Sequence, residues 1–147
     1  MSGILVDTNV LVYAHDPRDA AKQARAVLVL DHLHTNGTGR MSAQTLSEFF
    51  AAATRGPDPL LSTTKATAQI ANLVGSWLVF DLTPLVIIEA CRGVRDHRMP
   101  YWDAQIWASA RLNQATVIFS EDFNAGSTIE GIQFIDPFAV GFDVNIW

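Results

Sequence analysis

Apolar residues fall in two kinds of pattern along the chain. Ile4-Leu5-Val6 and Thr116-Val117-Ile118-Phe119 are short unbroken apolar runs. Such runs predict strands buried on both faces, as inside a parallel sheet. Trp77 to Phe80 and Gln133-Phe134-Ile135 read as further strands, and Arg40-Met41-Ser42 as a short one. Between them apolar residues recur at helical spacing. Thr8 or Asn9 is expected to cap a short helix. A second helix runs from Ala20 to about His34, with Ala24, Val27, Leu28 and Asp31-His32 on one wide face, and Asn36-Gly37-Thr38-Gly39 ends it. Ser42 caps a helix from Ala43 to about Thr54, with Leu46, Phe49, Phe50 and Ala53 as its stripe. Ser62 or Thr63 starts another, to about Gly75. Thr83-Pro84 opens a helix leaning on Leu85, Ile88, Ala90 and Cys91, and the last runs from Tyr101 to about Asn113.

The alternation of strands with helix pairs predicts an α/β fold, a three-layer α/β/α sandwich with a mostly parallel central sheet. A length of 147 residues fits a single domain, 1–147. Residues Val140 to Trp147 are apolar and have no assigned place in this scheme. With 49% hydrophobic and 17% charged residues the composition is globular. One cysteine, Cys91, excludes an internal disulfide framework. No apolar run is long enough to span a membrane, and no signal peptide is visible, so a cytoplasmic protein is expected. The net charge of −5 argues against nucleic-acid binding by the whole surface.

Four acids stand out by position. Asp7 ends the first strand, and Asp122 lies just past a later one. Both therefore belong at the carboxyl edge of the sheet, where open α/β folds bind ligands. Asp103 is in the first turn of a helix. Glu48 lies about 150° from the apolar stripe of its own helix, toward water or a cleft. Clustered carboxylates raise one another's pKa, and a divalent cation reverses that cost. Oxygen ligands favour Mg²⁺ or Mn²⁺, since the scattered histidines form no zinc set. A haloacid-dehalogenase-type site needs an acid where Asn9 stands, and a receiver domain needs a late lysine that is missing. No Gly-rich phosphate loop is present.

Asp7-Thr8-Asn9 after an aliphatic strand, Ser47-Glu48-Phe49, Tyr101-Trp102-Asp103-Ala104 and Ser120-Glu121-Asp122-Phe123 together resemble a PIN domain. Asn124-Ala125-Gly126 to Gly131-Ile132, then Asp136-Pro137-Phe138, resembles the ending of VapC-type toxins of bacterial toxin–antitoxin pairs. The resemblance implies a metal-dependent ribonuclease with Asp7, Glu48, Asp103 and Asp122 as its four acids. Asp7 and Asp103 are the expected direct metal ligands, with Glu48 and Asp122 ligating through water or orienting the nucleophile; Asp122 counts among the metal residues, with Glu48 and Glu121 as further candidates. Glu121 adjoins the fourth position, and either neighbour can be the ligand. Asn9 and Ser120 match supporting polar positions. The resemblance also implies an RNA substrate, a cognate antitoxin and a homodimer. The helices around Ala20–Leu33 and Ala66–Val74 are candidate surfaces for such partners. Arg92, Arg95 and Arg98, three apart on one helix, form a candidate strip for the RNA backbone. The alternative is a non-catalytic metal-binding or protein-interaction module on the same fold.

Overall fold

A computed structural model describes residues 2–123 and 125–147; Asn124, part of the toxin-like ending, lies outside them. The sheet is built outward from β1 (Gly3–Val6), whose four residues are all buried. β1 pairs in parallel with β2 (Gly39–Ser42) on one side and β4 (Ala115–Phe119) on the other. Beyond β2 lies β3 (Leu78–Phe80), and beyond β4 lies β6 (Ile132–Ile135), both also parallel. The two-residue β5 (Thr128–Ile129) pairs antiparallel at the far edge. The order is β3-β2-β1-β4-β6-β5. The chain thus winds away from β1 in one direction, then returns to wind in the other. Val6 and Phe119 are register partners, so the residues after them, Asp7 and Ser120, emerge side by side at this switch point.

Alternation along the strands divides the core. Leu5, Ile118 and Phe134 face α5 (Pro84–His97) and α6 (Tyr101–Leu112), where Trp107 is fully buried. Ile4, Val6, Val117 and Phe119 face α1 (Thr8–Ala14) and α2 (Ala20–Asn36). Met41 continues this layer under α3 (Ala43–Ala53) and α4 (Thr63–Ser76). The result is the expected three-layer sandwich with a mostly parallel sheet.

Two helices bury faces other than those expected. In α2 the inward residues are Ala26, Val29 and Leu33, while Val27 and Leu28 are exposed. In α5 they are Val86, Ala90 and Gly93, while Leu85 and Ile88 are about two-thirds exposed and Cys91 faces solvent. The cause is close packing. A Cβ added at Gly93 would stand 3.0 Å from the Trp107 ring, so small residues let α5 approach α6. Asp7, rather than Thr8 or Asn9, caps α1. The apolar tail folds back: Phe142 and Trp147 sit edge-on to Phe119, at ring separations of 5.5 and 5.6 Å.

Candidate active site

The carboxyl edge of β1 and β4 is organised by hydrogen bonds that span most of the chain. Asp7 accepts from the Thr8 amide at 2.7 Å and from the Ser120 hydroxyl at 2.8 Å. The Asn9 side-chain amide donates to Ser120 Oγ at 3.2 Å and to Asp122 Oδ2 at 3.1 Å. The Asp122 backbone N–H donates to the same Ser120 hydroxyl oxygen. Asn9 and Ser120 therefore connect the first acid to the last.

Glu48 reaches the site from α3. Its Oε2 accepts from the Thr8 hydroxyl at 2.9 Å, and its Oε1 from the Gln44 amide at 3.0 Å. Gln44 also donates to the Trp102 carbonyl and accepts from Gln105 on α6. This buried amide pair links α3 to α6 and sets Glu48 across from Asp103. In the sequence Thr8 reads only as a helix cap and a neighbour of Asp7, and Gln44 and Gln105 carry no assigned role. A weak signal existed, since Gln44 stands four residues before Glu48 on the same helical face.

Asp7, Glu48, Asp103, Glu121 and Asp122 all line one cleft of about 630 Å³. The acids influence one another electrostatically. Burial pushes the Asp7 carboxyl up to about 6, against the lowering effect of its two hydrogen bonds, and the charges of Glu48 and Asp103 add to the rise. Burial, then Asp122 and Glu48, also pushes Asp103 above the usual carboxylate range.

The choice between the neighbouring acids turns on their partners. Glu121 accepts from the Tyr13 hydroxyl at 2.8 Å and forms an ion pair with Lys22. Among the described residues, the Asp122 side chain has only the neutral Asn9 amide as a partner, and it faces Asp103. Among them Asp122 is thus the acid without a cation, while Glu121 is committed to bracing α1 and α2.

Among the described residues, no three acidic, histidine or cysteine side chains stand close enough to enclose an ion as placed. The donor set is nonetheless all oxygen, shares one cavity, and carries mutual repulsion that a cation relieves. That chemistry fits a hard divalent ion. The arginine strip has a different setting. Arg92 pairs with Glu89 and Glu130, and Arg95 with Asp96 at 2.7 Å. Arg98 ends α5 in the left-handed region. None of the three lines the cleft.

Residues 4–127 match the PIN domain family. The chain belongs to that family. Solved structures of a toxin and of toxin–antitoxin complexes share its fold. VapC20 of Mycobacterium tuberculosis, a sarcin–ricin loop cleaving toxin, has a TM-score of 0.64 at 19% identity, over 87% of this chain and 98% of its own. A toxin–antitoxin complex from Klebsiella pneumoniae gives 0.68 at 16% identity, over 92% and 98%. DNA-bound VapBC from Salmonella typhimurium gives 0.63 at 19% identity, over 93% and 99%. At these identities the likeness is one of fold. No curated protein sequence matches the chain. Among the described residues of this PIN domain, no helix is long and apolar enough to cross a membrane.

Proposed function

We propose that the protein is a divalent-metal-dependent endoribonuclease that acts in the cytoplasm as the toxin of a toxin–antitoxin pair. The carrying observation is that acids from β1, α3, α6 and the turn after β4 meet in a single cleft at the switch point of a PIN fold. Asp7, Asp103 and Asp122 are the residues to hold Mg²⁺ or Mn²⁺, a hard ion that supplies charge neutralisation at a phosphate and a more acidic water. Ser120 and Asn9 fix the orientation of Asp7 and Asp122. Glu48, held at both oxygens by the Thr8 hydroxyl and the Gln44 amide, orients an attacking water. No protein nucleophile is required, in keeping with the lack of a Ser–His or Cys–His pair among the described residues of the cleft.

The exposed apolar residues of α5, Leu85 and Ile88, with Leu82 before it, support a protein partner on that side. The antitoxin and a second copy of the chain are the partners proposed. The test is cleavage of a mixed RNA pool by purified protein. EDTA should abolish cleavage, Mn²⁺ should restore it, and Asp103→Asn should lose it while retaining the parent's circular dichroism. A folded parent that cleaves nothing with any divalent ion leaves the interaction-module reading instead. Co-purification with the product of the adjacent gene tests the partner.

A further inference from the structure

Two adjacent acids, Glu121 and Asp122, line the same cleft. Adjacency alone does not decide which of them meets a metal ion. The two side chains are held by different means. Asp122 Oδ2 accepts from the neutral Asn9 amide, and Asn9 Oδ1 accepts from the Glu121 backbone N–H at 3.4 Å. The Glu121 carboxylate is taken up by α1 and α2: the Tyr13 hydroxyl donates to Oε1, and the Lys22 ammonium pairs with Oε2.

The place of Lys22 is built. Its backbone N–H donates to the capping carboxylate of Asp19, which puts it in the first turn of α2. There the positive end of the helix dipole disfavours a cation. The ammonium is nevertheless set 4.5 Å from the centre of the Tyr13 ring and 5.5 Å from that of Phe138, and it donates to the Tyr13 hydroxyl at 3.1 Å. Tyr13 and Phe138 pack edge-on at 5.0 Å, which fixes that platform. The hydrogen bonds to Glu121 and then Tyr13 push the ammonium above its ordinary range, so it stays charged. A divalent ion therefore meets two unequal carboxylates. To take Glu121 it must break an ion pair; to take Asp122 it displaces a neutral amide. The ammonium also offsets the charge with which Glu121 would attract a hard cation.

We infer that Lys22 is a positioning residue for the metal site: by holding Glu121 in an ion pair it leaves Asp122 as the ligand, and without its charge Glu121 becomes a second one. This rests on the metal-dependent reading above and adds the group that chooses between its acids. The helix does not depend on Lys22 for its seat, because Arg25, one turn on, donates to the Pro137 carbonyl at 2.8 Å.

The test is calorimetric titration of Mn²⁺ into the whole chain, with no RNA present. In the parent, Asp122→Asn should weaken Mn²⁺ binding about tenfold or more. Lys22→Met keeps an apolar stem over the two rings and loses the charge. It should bind Mn²⁺ about three- to tenfold more tightly than the parent, since a cation leaves and a carboxylate is freed. In that background Asp122→Asn should cost less than about threefold, because Glu121 takes over. Adding Glu121→Gln should bring the full loss back. Lys22→Arg keeps the cation and should behave like the parent. Urea midpoints check folding, and Lys22→Gln replaces the methionine variant if that one does not fold. A Lys22 that only braced the fold would weaken Mn²⁺ binding when removed and leave the Asp122→Asn loss unchanged. Either result, in a parent that binds Mn²⁺, overturns this inference alone. A parent that binds no Mn²⁺ removes the proposed function and this inference with it.

Discussion

Asp7 offers a measurement of the site's electrostatics that needs no substrate. Its carboxyl is pushed from an ordinary 3.8 up to about 6, chiefly by burial. In the folded state it keeps its proton where the unfolded chain has already released it. Without metal, its contribution to stability therefore falls as pH rises from about 4 to about 6 and stays low above that. A shift of roughly two units corresponds to about 3 kcal/mol. Asp7→Asn removes the buried charge and keeps an acceptor for the Thr8 amide. It also presents an amide to Ser120 Oγ, which already accepts from Asn9 and Asp122, at a cost of about 1 kcal/mol. In EDTA at pH 7.5 the variant should be more stable than its parent by about 1–2 kcal/mol. Near pH 4 the advantage should vanish or reverse. Urea titrations of both proteins from pH 4 to 8 measure the difference, which isolates Asp7 from the parallel titration of Asp103. A variant no more stable at pH 7.5, or a difference indifferent to pH, refutes the burial argument.

Two other outcomes follow from the packing and the acid pair. Asp122→Asn should reduce RNA cleavage more than a hundredfold, whereas Glu121→Gln, which loses mainly the pair with Lys22, should keep at least a tenth of it; single-turnover rates on one RNA decide, and the reverse order exchanges the two roles. Gly39→Ala places a Cβ 2.1 Å from a Trp77 ring carbon, so the urea midpoint should drop by the equivalent of about 1–3 kcal/mol; a midpoint equal to the parent's shows that the ring gives way freely.

Much of this architecture was legible because local chemistry and tertiary role coincide. The strand runs are apolar because they are buried on both faces. Ser42, Ser62 and Thr83 all make the cap hydrogen bonds that their positions promise. Asp7 was visible as an acid directly after such a run. The α5 face was not legible, since Leu85 and Ile88 announce an aversion to water without saying where α6 lies. What faces α6 is a set of small residues chosen for closeness, and smallness leaves no hydrophobic signature. Glu121 and Asp122 were equally acidic on paper. Telling them apart needed Tyr13 and Lys22, which lie about a hundred positions away. The neutral links Thr8, Gln44 and Gln105 are ordinary polar residues until the fold sets them end to end. The two residues of β5 are too few for any periodicity.

The bond between Ser120 and Asp7 joins positions 113 apart in the chain. Contacts of such separation form late, because the intervening polypeptide must be in place first. A ribosome making this protein releases β1 more than a hundred residues before β4, and the pocket beside it has no second wall until β4 docks. Whatever chemistry the pocket performs is thereby withheld from the machinery of its own synthesis until that later strand has emerged.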